Sequence, residues 1–174
     1  MKKITFLFVV MAMFALTSSA QKKEQMYVGG TLGFSIQNYS SNGYSTSATS
    51  FNITPEFGYF FADRFKVGAE LGYALSGGVH TLLVMPNIAY YLPIVDKLYY
   101  TPQFSVGGGI VAASGYANAA FAMSLNLAAI EYQPAQNMAI SLSLVDLSYT
   151  RANQTNGIGF YFLTTPTVGF RYYF

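Results

Sequence analysis

Residues able to do chemistry are scarce in this chain. It has one histidine, His80, and no cysteine, with nine Lys and Arg and seven Asp and Glu among 174 residues. A hydrolytic site would need a nucleophile, a base and an acid within hydrogen-bond reach. His80 lies near Ser76, but no acidic residue is close in sequence, so the pair is a poor start for an enzyme. Without cysteine or a second histidine, no metal site and no cofactor are expected. The Gly107-Gly108-Gly109 run is followed by no Lys-Ser or Lys-Thr and opens no helix, so it is not a phosphate loop. Close backbone packing is its better account. What remains is a handful of charges, Glu56, Lys66, Glu70 and Arg171, whose meaning depends on the elements that position them.

Composition narrows those elements. Charged residues are 9% of the chain, against about a quarter in ordinary soluble domains. Hydrophobic residues are 52%, with 15 Tyr and 15 Phe. This excludes a disordered chain, a disulfide scaffold and a zinc ribbon. It also argues against a nucleic-acid binder, which would carry a basic block.

Residues 1–20 read as a secretory signal peptide. Lys2 and Lys3 precede a nearly continuous apolar stretch, Ile4 to Leu16, and Ser18 and Ala20 form a small-residue cleavage site before Gln21. The stretch is too short for a spanning helix, which needs about 20 residues. Removing it leaves seven basic and seven acidic residues in a mature chain over 21–174.

That mature chain alternates with period two, the mark of half-buried strands. Eight segments are expected, over 26–38, 51–61, 65–76, 80–92, 98–112, 118–132, 138–150 and 158–174. Between them lie polar connectors at 39–50, 76–80, 113–117 and 151–157, alternating with tight turns at 62–64, 93–97 and 133–137. In the third segment Phe65, Val67, Ala69, Leu71, Tyr73 and Leu75 oppose Lys66, Gly68, Glu70 and Gly72. Of eleven glycines inside strands, nine lie on the polar face and only Gly30 and Gly108 on the apolar one. The crowded, concave side of a barrel therefore holds the small and polar residues, and the bulk points outward. That is stable only in lipid, where ring closure satisfies every strand hydrogen bond. Aromatics beside the tight turns (Tyr59, Phe61, Phe65, Tyr90, Tyr100, Tyr172, Phe174) read as an interfacial girdle. The expected fold is all-β, an eight-stranded antiparallel transmembrane β-barrel with up-and-down meander.

In this frame Glu56, Lys66, Glu70 and Arg171 point inward. The apolar phase flips within 118–132 and 138–150; a bulge in each strand would account for it and add Glu131 and Asp146 to the lumen, and so would a register error. Paired, the charges plug the lumen; unpaired, they would line a proton or ion path. The plug is favoured because eight strands leave an interior just filled by side chains.

The tail Thr167-Val168-Gly169-Phe170-Arg171-Tyr172-Tyr173-Phe174 resembles the assembly signal of bacterial outer-membrane β-barrels, with Thr167, Gly169, Tyr172 and Phe174 in its key places. With the opening Tyr27-Val28-Gly29-Gly30 and Gln21 after the cleavage site, the mature chain is similar to small eight-stranded outer-membrane barrels common in Bacteroidota. The resemblance implies insertion by the barrel assembly machinery into outer-membrane lipid, with both termini periplasmic. It implies no single activity. Termini in the periplasm put 39–50 outside the cell, where Tyr39 and Tyr44 among Ser and Thr are candidates for surface contact. The role expected is structural or surface interaction by a monomer, without catalysis. A narrow porin-like channel is the alternative; a lipid-A-modifying enzyme and a secreted ligand-binding barrel are further ones.

Overall fold

The computed structural model describes residues 23–41, 44–152 and 155–174. The leader over 1–20 lies outside them. Ten strands follow in order: β1 (Met26–Ser41), β2 (Tyr44–Ala62), β3 (Phe65–Ser76), β4 (Val79–Tyr90), β5 (Leu92–Val95), β6 (Leu98–Tyr100), β7 (Gln103–Ala113), β8 (Tyr116–Ala135), β9 (Met138–Ala152) and β10 (Thr155–Tyr173). Eight of them close an antiparallel ring, β1–β2–β3–β4–β7–β8–β9–β10 and back to β1. β5 and β6 are the continuations of β4 and β7, pairing with each other, and β6 also pairs with β8. The expected segments 80–92 and 98–112 are thus each split in two. The cause is local: Tyr91 N–H bonds the Arg64 carbonyl at 2.8 Å, and Pro102 has no N–H to give a ladder.

Alternation sets the two faces. Val28, Leu32, Phe57, Leu71, Val84, Ile110, Val168 and Phe170 are exposed on the outside of the ring, while Glu56, Lys66, Glu131 and Arg171 are buried within it. Val28 is 50% exposed and Lys66 0%, the inverse of a soluble domain. The backbone packs tightly where Gly107 and Gly109 face inward: a Cβ on either would strike the carbonyl oxygen of Val84 or Leu82.

Both suspected bulges are present. The β8–β9 ladder runs Asn126↔Asp146, Ala128↔Val145, Ala129↔Ser143, so Leu127 and Leu144 are each skipped. Those two extra residues turn Glu131 and Asp146 inward without changing the register beyond them.

The polar connectors are a correction. The stretch 39–50 is largely strand: Ile36↔Thr49, Tyr39↔Thr46 and Ser41↔Tyr44 continue the β1–β2 ladder. Likewise Thr155↔Ala152 continues β9–β10 through most of 151–157. Sequence rich in Ser and Thr, with no charge between 39 and 50, suits an extended ribbon as well as a loop. At 76–80 and 113–117 only Gly77-Gly78 and Ser114-Gly115 remain as turns, and all four take positive φ, the primed hairpin geometry that matches strand twist. Among the described residues the turns at both ends are equally tight, and the ends differ in ribbon length.

The ring closes where the chain ends meet. Met26 and Phe174 exchange backbone hydrogen bonds of 3.0 and 2.9 Å. The β1–β10 ladder then runs from Tyr27↔Tyr173 to Leu32↔Val168 and stops. Two residues on, Pro166 lacks the donor that would extend it. β1 beyond residue 32 and β2 before residue 50 pair only with each other, as a two-stranded ribbon.

Candidate functional site

Four of the inward charges, Glu56, Lys66, Glu131 and Arg171, gather in the half of the lumen nearest the chain termini. On adjacent strands β2 and β3, Lys66 stands opposite Phe60 and its long side chain reaches along the strand to Glu56, and β10 brings Arg171 in from across β1. Lys66 Nζ lies 2.5 Å from Glu56 Oε1. Arg171 donates through Nε and Nη2 to Glu56 Oε2, at 3.1 and 3.0 Å. Its Nη1 reaches Glu131 Oε2 on β8 at 2.8 Å. One guanidinium therefore spans two carboxylates held on different walls, a use that its planar fork of donors permits. Two cations meet two anions, so the group is neutral as a whole.

Neutral donors complete it. Tyr27 Oη donates to Glu56 at 2.5 Å and Asn87 Nδ2 at 3.2 Å. Tyr91 and Tyr173 donate to the two oxygens of Glu131, at 3.1 and 2.5 Å. Beneath, the rings of Tyr27, Phe60, Tyr91, Tyr99 and Tyr173 form a buried aromatic layer with Ala89 and Ala139. Phe60 meets Tyr91 edge-on with centroids 5.1 Å apart, and Lys66 Nζ sits 5.1 Å from the Tyr27 centroid. Tyr27, Tyr91 and Tyr173 thus offer their rings to the layer and their hydroxyls to the ions above.

Glu70 lies directly opposite Glu56 in the β2–β3 ladder but joins none of these ion pairs. It accepts a hydrogen bond from Gln103 Nε2, while Gln103 Oε1 takes one from Lys66 at 2.8 Å. Asp146 accepts from Ser124 at 2.9 Å. Both carboxylates line a cavity of about 570 Å³ above the ionic layer, floored by Glu56, Tyr91 and Arg171 and reaching Ser50 and Ser76 at the far end.

The aromatic layer was missed in the sequence, although a signal was there. Tyr59-Phe60-Phe61, Tyr90-Tyr91, Tyr99-Tyr100 and Tyr172-Tyr173-Phe174 are runs of adjacent rings. Along a strand one member of each run must face inward.

The remaining candidates lie elsewhere. His80 Nδ1 is 2.9 Å from Tyr73 Oη at an exposed position, and Ser76 Oγ is 2.8 Å from Ser50 Oγ, so Ser76 and His80 form no catalytic pair. Among the described residues no three His, Cys, Asp or Glu side chains converge on a metal position. Thr167 and Gly169 face the lumen side of β10, and Tyr172 and Phe174 are exposed outside it. Tyr39 and Tyr44 sit in the ribbon of β1 and β2; the surroundings of their side chains lie outside the described residues.

No family model matches the chain, and no curated protein sequence does. Solved structures do. Neisserial surface protein A is similar over 84% of this chain and 96% of its own, with 13% identity and a TM-score of 0.51. The Yersinia pestis outer-membrane protein Ail, in a phospholipid nanodisc, covers 87% and 100% at 13% identity and 0.45. A de novo designed transmembrane β-barrel covers 89% and 99% at 14% and 0.44. At such identities the likeness concerns fold alone: the chain has the architecture of small eight-stranded outer-membrane β-barrels.

Proposed function

We propose that this protein is an integral barrel of the bacterial outer membrane with a sealed lumen, serving a structural or surface-interaction role and catalysing nothing. The observation that carries the sealed reading is Arg171 bound at once to Glu56 and Glu131 across the barrel, over a layer of buried rings. In this reading residues 1–20 direct export, and the barrel assembly machinery reads Thr167, Gly169, Tyr172 and Phe174. The monomer then sits with its termini in the periplasm. The β1–β2 ribbon would carry Tyr39 and Tyr44 past the ring on the opposite side, where a flat pair of strand edges suits contact with another surface.

Two measurements test this. Outer-membrane fractionation with unheated and boiled gel lanes should show a heat-modifiable band; a soluble, unshifted protein refutes the membrane reading. Purified barrels in a planar bilayer should give no sustained conductance, and steady single-channel steps from the unaltered protein would establish the narrow channel instead.

A further inference from the structure

The lumen above the ionic layer has a charge balance of its own. Lys66 and Arg171 are spent on Glu56, Glu131 and Gln103. No ion pair joins Glu70 or Asp146 to any described residue. The two carboxylates sit on β3 and β9, four strands apart whichever way the ring is counted, so they face each other across the barrel. Thr54, Thr81 and Ser143 lie on the walls with them. A cavity of about 570 Å³ is within the 300–1,000 Å³ of ordinary small-molecule sites. Its floor is closed and its walls present two anions and several hydroxyl oxygens.

We propose that this cup binds a small organic dication, a short linear diamine with one ammonium group toward Glu70 and the other toward Asp146. A bare metal ion suits it poorly, because the carboxylates are on opposite walls and cannot converge. A neutral polyol would bring no positive charge to either carboxylate. The proposal rests on the sealed-lumen reading, since the ionic layer makes the cavity a dead end. Failure of that reading would appear as conductance; failure of this one would appear as absent binding by a barrel that does not conduct.

The test is calorimetric titration of the full mature barrel, in a nonionic detergent, with 1,4-diaminobutane. One saturable site is expected, silent to butane-1,4-diol. Glu70→Gln and Asp146→Asn each keep the existing hydrogen bond from Gln103 or Ser124. Each should weaken binding about tenfold, the loss of one charge-assisted contact, with the gel shift on boiling unchanged. Absence of a saturable site overturns the proposal, and so does an affinity that both substitutions leave alone. Calcium binding to the same two residues in preference to the diamine also overturns it.

Discussion

The two halves of the lumen use the same kinds of residue to opposite ends. Near the termini, carboxylates, cations and tyrosine hydroxyls are matched one to another over buried rings. In the far half, Glu70 and Asp146 line open space and take neutral hydrogen bonds from Gln103 and Ser124. The difference is set by where Arg and Lys fall: among the described residues both inward cations, Lys66 and Arg171, are in the lower layer. The lesson is that a charge inside a barrel has no fixed meaning. Matched, it builds a wall; unmatched, it leaves a demand that something else must meet.

Substitutions graded along that contrast should separate the halves. Arg171→Leu leaves Glu56 and Glu131 facing each other without their shared cation, and should lower stability by about 3–5 kcal/mol. A urea midpoint close to that of the unaltered protein would erase the distinction. Lys66→Met is expected to cost less, about 2 kcal/mol, because Glu56 keeps Arg171, Tyr27 and Asn87 as partners. Tyr173→Phe removes one hydroxyl donor from Glu131, with a cost of about 1 kcal/mol in the same unfolding series. Asp146→Asn, in the cup, should fall within about 0.5 kcal/mol of the parent. If it destabilises as much as Lys66→Met, the far half is a structural network too.

Much of the ring was legible before any coordinates. Alternation along 51–61 and 65–76, and glycine on the concave face, are direct consequences of two-residue strand periodicity in a barrel with its bulk outside. The phase flips at Leu127 and Leu144 were visible as well, because a single skipped residue leaves a trace in the pattern. Partnership was harder. Glu56, Lys66, Glu70 and Arg171 share a face, yet Glu70 joins none of the ion pairs and Glu131 joins one. Which charge meets which depends on strand stagger and side-chain reach, and neither has a local signature. The extended ribbon over 39–50 was obscured for a related reason. Ser and Thr serve loops and solvated strands equally well, and only the partner across the ladder decides between them.

The manner of ring closure governs how the structure can form. Every other ladder of the eight joins strands that are consecutive around the meander, whereas β1 must find β10 at the opposite end of the chain. Until it does, two unsatisfied edges persist, each able to pair with a foreign strand. The closing contact is short, six residue pairs ended two residues short of a proline, and it bears nearly the whole entropic burden of joining the ends. Assembly should accordingly be all-or-none: a chain lacking 168–173 is left as a curled, sticky sheet and not as a slightly weaker barrel.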